Sequence, residues 1–198
     1  MAITFLELSK ELSSLAGYLE GREHGNIMAQ LASDAIALNK KRVVETGKNA
    51  EGQSFKPYST KPMLTGSKNF IKQTAAQSLL STKEKRRNLS WKTINGHKLF
   101  ELPGGYKQFR ELNSRQTKFV DFTMSGRMMG DIQTASDQAE LNSGVAVIKP
   151  LKTEEKKKLA GNTEKRGDIL ALSKSEEAKL GEKYSAWVEG GLRKFKLI

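Results

Sequence analysis

The chain has 198 residues, 37% of them hydrophobic and 28% charged, and a formal net charge of +12. That length allows one sizeable core with extensions, and the composition is that of a soluble chain with interface-forming parts. There is no cysteine and only two histidines, His24 and His97. Disulfides, thiolate metal sites and cysteine nucleophiles are excluded, and zinc or triad chemistry lacks ligands. The charge is unevenly spread. Residues 1–39 carry 2 basic and 5 acidic side chains (−3), residues 40–118 carry 18 and 5 (+13), and residues 119–198 carry 14 and 12 (+2). Such a central field attracts nucleic acid or an acidic protein surface, or serves solubility alone. The N-terminus mixes acidic with apolar residues, unlike a secretory leader. No apolar run nears the ~20 residues of a membrane span, so no membrane role is expected.

In chain order, residues 3–20 have the apolar spacing of a helix (Ile3, Phe5, Leu6, Leu8, Leu12, Leu15, Leu19). Gly17, Gly21 and Gly25 then mark either a close helix contact or a turn. A second helix is predicted over 26–46, stopped by Thr46-Gly47. Residues 47–67, with five Gly or Pro, read as loop, and Phe55 and Tyr58 within it either anchor the loop to a core or meet a partner. Residues 69–88 predict a third helix ending in Lys83-Glu-Lys-Arg-Arg87. Residues 90–102 predict a hairpin, because Asn95-Gly96 suits a two-residue turn in which both positions need positive φ.

A short helix over 106–112 follows, then strand candidates at Phe119–Thr123 and Gly144–Ile148. Ser173 with Glu176 has capping-box spacing for a last helix over 174–189, ended by Gly190-Gly191. The tail, 192–198, alternates apolar and basic residues as a strand does, and could cross to a neighbouring subunit. Helices, then hairpins, then a helix predict an α+β fold: N-terminal helices and a C-terminal helix packed on an antiparallel sheet. One domain is expected over 1–198, with a basic hairpin insertion at 83–112.

The motifs carry no enzymatic signature. A phosphate-binding Gly-x-x-x-x-Gly-Lys-(Ser/Thr) loop is absent, and Ser125 lacks the Gly-x-Ser-x-Gly frame of a nucleophile elbow. Glu154-Glu155 and Glu176-Glu177 read as solvated helix faces rather than acid–base pairs. No catalytic, cofactor-binding or metal-binding residue is assigned, and no cofactor is expected. Lys83, Lys85, Arg86, Arg87 and Lys92 form the best polyanion-facing group, with Trp91 either stacking on a base or packing across its strand pair.

The segment Phe119-Val-Asp-Phe-Thr-Met-Ser-Gly-Arg-Met-Met-Gly-Asp-Ile132 reads as a strand, a Ser-Gly turn and an amphipathic restart. It resembles a (Leu/Val)-Asp-x-Thr-x-(Ser/Thr)-Gly-x-(Leu/Met) signature of phage head–tail connector and tail-completion (virion morphogenesis) proteins. Three more places are similar to that family. They are Lys41-Arg42-Val43 through Gly52-Gln-Ser-Phe-Lys-Pro-Tyr-Ser59, Val145–Ile148 with Lys158-Leu-Ala-Gly-Asn162, and Lys165-Arg-Gly-Asp-Ile-Leu-Ala-Leu-Ser-Lys174. In the last, Ile169 stands where the family usually has Phe, and the Val145–Ile148 element with Lys158–Asn162 lacks its His-x-x-Gly.

The resemblance implies a structural virion protein, located at the head–tail junction after assembly in the host cytoplasm. It would form a homo-oligomeric ring in contact with other neck, portal or tail proteins, and with DNA passing non-specifically through the channel. On that basis Phe55, Tyr58, Arg127, Met128, Met129 and Phe195 are the expected subunit or partner contacts. The alternatives from other classes are a non-specific nucleic-acid-binding protein and a phage assembly factor not retained in the virion.

Overall fold

A computed structural model describes residues 5–66, 69–70, 90–123 and 125–197. Among them the element order is α1 (Phe5–Glu20), α2 (Arg22–Thr46), β1 (Met63–Thr65), β2 (Ser90–Ile94), β3 (His97–Leu102), α3 (Gly105–Leu112), α4 (Arg127–Gly130), β4 (Ile132–Thr134), α5 (Gln138–Asn142), β5 (Ile148–Pro150), α6 (Thr153–Arg166) and α7 (Lys174–Lys194). Both sheets are antiparallel, and the fold is α+β as the pattern predicts. Where one domain with an insertion at 83–112 was expected, the chain divides into two compact units. The first is Met1–Gln53 with Ser125–Ile198, and the second, Ser54–Met124, is spliced into it. The predicted helix over 69–88 lies almost wholly outside the described residues.

The first unit is built around α2, which contacts α1, α5, α7 and β4. Its buried residues Ile27, Ala35, Asn39 and Val43 recur at multiples of four, and Ala32 and Ala35 are small enough to let neighbours come close. Two glycines of this helix now have a structural reason. A Cβ on Gly25 would lie 2.1 Å from Asn142 Oδ1, so α2 and α5 touch there because no side chain intervenes. Gly47 ends α2 in the left-handed conformation (φ 63°), its N–H bonding Val43 O at 3.1 Å. Asn39 Nδ2 donates to Ile169 O and Ala171 O (2.9 and 3.3 Å), which fastens the chain ahead of α7 onto α2.

Helix α7 begins at the predicted capping box: Glu176 N–H to Ser173 Oγ and Ser173 N–H to Glu176 Oε2. It does not stop at Gly190-Gly191. It continues to Lys194 with Phe195 as its cap, so residues 192–195 of the expected C-terminal strand are the end of a helix. The cause is packing. Gly191 approaches Tyr18 so closely that a Cβ would lie 2.6 Å from Cε1, and Tyr18 stacks on Trp187 (ring centroids 4.6 Å) and meets Phe195 edge-on (5.8 Å).

Two further strand readings change. Phe119–Thr123 is irregular: Phe122 has φ 56°, and the Thr123 N–H is taken by the Asp121 carboxylate rather than by a ladder. Of Gly144–Ile148, only Ile148 belongs to a strand. The Val145 N–H bonds Glu140 O (2.8 Å) and the Val147 N–H bonds Ser136 Oγ (2.8 Å), which leaves β5 to pair with β4 over Ile148–Pro150.

The second unit holds a three-stranded sheet in the order β1-β3-β2. The predicted hairpin is present with its two-residue turn, Asn95 at φ 46° and Gly96 at φ 74°, and register Ser90↔Glu101 to Ile94↔His97. The predicted loop 47–67 contributes β1, paired Met63↔Leu102 to Thr65↔Phe100. Phe100 and Leu102 of the central strand are buried with Phe70 and Phe109, and Met63, Tyr106 and Leu112 pack around them. The short helix over 106–112 is α3, whose Phe109 supplies that core.

Candidate functional site

In the second unit the side chains converge on Asp121. Arg110, on α3, is 1% exposed, and its Nη2 donates to both Asp121 oxygens at 2.8 and 3.1 Å. Arg110 Nε donates to Gln116 O (3.0 Å), and its guanidinium lies 4.4 Å from the centre of the Tyr58 ring. The Tyr58 hydroxyl donates to Asp121 Oδ1 (2.9 Å) and accepts the Asp121 N–H (3.1 Å). The chain cannot run as a strand through Asp121, because this carboxylate is a hub for three segments. Phe55 packs edge-on against Phe122 at 5.1 Å. Phe55 and Tyr58 are therefore core anchors of the second unit, not the partner contacts expected of them.

Burial by itself would raise the Asp121 pKa. Hydrogen bonds, from the Thr123 N–H foremost and from the Tyr58 hydroxyl, outweigh that and hold it below its ordinary value. In the first unit, burial of Glu176 is likewise outweighed, here by Arg42 Nε (2.9 and 3.1 Å) and the Ser173 N–H, and its pKa is also lowered. Burial drives the Tyr58 phenol well above its ordinary range. A carboxylate with a depressed folded pKa adds stability above its unfolded pKa and loses it as pH falls through the folded one. A phenol with a raised pKa adds stability that is lost as pH climbs past its unfolded value. Stability should therefore be flat between about pH 5 and 9 and fall on both sides, below about 4 and above about 10, the unfolded values of these groups. Urea midpoints measured across pH check this, and an unchanged midpoint at pH 3 would contradict it.

The first unit contains an apolar groove of about 480 Å³. Met28, Leu31 and Ala35 of α2 line it, as do Ala146 and Ile148 ahead of and within β5, and Leu180 and Tyr184 of α7. One end is polar. His24 Nδ1 lies 2.9 Å from the Asn142 carbonyl, so it carries a proton and donates; in the neutral ring Nε2 then accepts from the Tyr184 hydroxyl at 3.2 Å. The His24 ring also stacks near Trp187 (5.6 Å). Gly144, at φ 85°, fits beneath His24 where a Cβ would come within 3.2 Å of Cε1.

Beside the groove, residues 145–151 alternate. Ala146, Ile148 and Pro150 turn inward, while Val145, Val147 and Leu151 are 48%, 39% and 45% exposed. The sequence conceals this stripe, because Val-Ala-Val-Ile is apolar on both faces of the pleat. The groove was equally hidden: its lining comes from segments more than a hundred residues apart.

The remaining expected contacts divide. Arg127 is exposed. Met128 and Met129 are 5% and 3% exposed, so they are interior residues of the first unit rather than a surface presented to a neighbour. Helix α4 is a single turn after Gly126 (φ 72°) that contacts α6, where Asn162 Nδ2 reaches Met128 Sδ at 3.9 Å. Phe195 is half-buried and meets Tyr18 edge-on within its own unit. Lys92 is exposed and pairs across the hairpin with Glu101 (2.7 Å). Lys83, Lys85, Arg86 and Arg87 lie outside the described residues. Trp91 packs on Phe100 of the neighbouring strand (3.9 Å), as an aromatic on a strand pair does. Glu155 and Glu176, read from sequence as solvated, are buried and ion-paired with Lys158 and Arg42. Among the described residues no helix is long and apolar enough to cross a membrane.

Compared with protein-family models, curated proteins and solved structures, the chain matches none.

Proposed function

We propose that this chain is a structural virion protein of a tailed bacteriophage, assembling as a homo-oligomeric ring at the head–tail junction between the portal side of the capsid and the tail. The four motifs that resemble connector and tail-completion proteins support the reading. The observation that carries it is the exposed stripe Val145, Val147 and Leu151 beside an apolar groove in the same unit. Covering the exposed remainder of each side chain adds about 1 kcal/mol, so the stripe favours assembly of repeated copies when it is buried together with its neighbouring surface. The contact surface we assign is thus this stripe with Arg127, in place of the methionines.

The test is light scattering coupled to sizing, or mass photometry, on the purified chain alone and with phage neck, portal or tail proteins. The unaltered chain is expected to form a closed ring in at least one of these mixtures. Val145→Asp with Val147→Asp should abolish the ring and leave the circular dichroism spectrum unchanged, since both positions are partly exposed and a carboxylate at either can reach water. A chain that stays monomeric in every mixture would overturn the proposal. Mass spectrometry of purified virions decides between a ring retained in the particle and an assembly factor that leaves it.

A further inference from the structure

The second unit, Ser54–Met124, contains 14 Lys and Arg against 4 Asp and Glu, so this 71-residue stretch holds +10 of the chain's +12. The first unit, with nearly twice the residues, carries 20 basic and 18 acidic side chains, or +2. The acidic side chains of the second unit are also largely spent. Asp121 is buried on Arg110, and Glu101 is paired with Lys92. Glu84 lies outside the described residues. Glu111 is the one exposed carboxylate among the described residues of the unit, bonded by Thr117 at 3.3 Å.

Lys56, Lys61, Lys107, Arg115 and Lys118 are exposed, and none makes an ion pair among the described residues. These five flank one seam, in which residues 55–61 run alongside 105–122. The seam is closed by Phe55 on Phe122, by Tyr58 on Asp121, and by the Lys107 N–H donating to Ser59 O at 3.0 Å. At its end Gly105 meets the Lys61 carbonyl so closely that a Cβ would sit 2.2 Å from it. Five cations without ion pairs thus project from the paired segments and from the loop that joins α3 to Asp121.

We infer that this seam of the second unit is a binding surface for the phosphate backbone of duplex DNA, read without regard to base sequence. Two features favour phosphate over an acidic protein. Four of the five cations are lysines, which protein–protein interfaces disfavour while enriching arginine, whereas lysine neutralises phosphates readily as a point charge. Duplex DNA also offers one charge per about 1.7 Å of axis, dense enough to meet cations spread along a seam, where a folded acidic surface must match them one by one. The inference does not depend on ring formation and adds a surface that the 83–92 basic run does not include.

The test uses the full chain and a 30-bp duplex of random sequence, with affinity measured by fluorescence anisotropy across salt. The five-fold variant K56Q/K61Q/K107Q/R115Q/K118Q should bind on the order of a hundredfold more weakly at about 0.1 M salt, and the slope of log K against log salt should fall by about 4. A first-unit control with exposed lysines removed, K156Q/K157Q/K165Q, should lose less than about threefold. A charge-keeping variant, K56R/K61R/K107R/R115K/K118R, should bind as the parent does. The inference is overturned if the parent fails to bind the duplex in about 50 mM salt or shows a salt slope shallower than about 3. It is also overturned if the first-unit control loses as much as the five-fold variant, or if polyglutamate displaces the duplex at equal charge concentration. Should the five-fold variant fail to fold, K56Q/K61Q and R115Q/K118Q measured separately should each lose at least about fivefold, and a folded pair that binds as the parent does overturns the inference.

Discussion

Asp121→Asn should lower the stability of the protein by about 3–5 kcal/mol, the cost of removing one partner from a buried ion pair. The amide keeps the shape of the carboxylate but not its charge, and Arg110 then sits 1% exposed with no counter-ion. Attraction to a neutral amide cannot replace the lost solvation of a guanidinium. Tyr58→Phe, which removes one hydroxyl that both donates to and accepts from Asp121, should cost about 1–3 kcal/mol. Lys92→Ala, which opens a pair with a mostly solvated lysine, should cost less than about 1 kcal/mol. Urea unfolding followed by circular dichroism ranks the three. If Asp121→Asn fell within error of Lys92→Ala, the hub would not be what holds segment 116–123 against α3.

Gly105→Ala should be nearly as damaging, about 4 kcal/mol, by adding two costs. An alanine at φ 63° is strained by about 1–3 kcal/mol, and its Cβ would have to displace backbone at Ser59, Thr60 and Lys61 lying between 2.2 and 2.9 Å away. Backbone cannot swing aside as a side chain can, so the seam that carries Lys61 and Lys107 has to part. Gly96→Ala is the matched control. Its φ is 74°, but a Cβ there meets open space, so strain alone applies and about 1–2 kcal/mol is expected. Comparing the two by thermal melts and by limited proteolysis of residues 54–62 separates crowding from strain. Equal losses would mean that the contact with Lys61 is not tight.

These two sites show where reading along the chain stops. Asp121 lies within a segment whose alternation and Ser-Gly turn suggested a strand leading to an exposed docking turn. Its partner Arg110 is 11 residues away and Tyr58 is 63 away. A carboxylate that captures a guanidinium, a phenol and the Thr123 N–H overrides a local strand preference, because each of those groups buried alone would cost more than the ladder returns. Met128 and Met129 lie inside for the same kind of reason: the turn Arg127–Gly130 packs on α6 and leaves Arg127 and Gly130, not the methionines, on its outer side.

Features whose physics is local are legible along the chain. The Asn95-Gly96 turn, the Gly47 stop of α2, the Ser173–Glu176 capping box and the α+β class each depend on residues within a few positions, or on a period the chain repeats. So does the charge bias toward residues 40–118, which composition alone displays. The tertiary structure decided everything that depends on which distant segments meet. It set the boundary of the inserted unit at 54 and 124, carried α7 past its glycines because Tyr18 and Trp187 reward the extra turn, and opened a groove between α2 and α7 with an apolar stripe at its edge. Side-chain burial and ion pairing are properties of neighbours in space, and a one-dimensional pattern specifies those neighbours only within a helical turn or a hairpin.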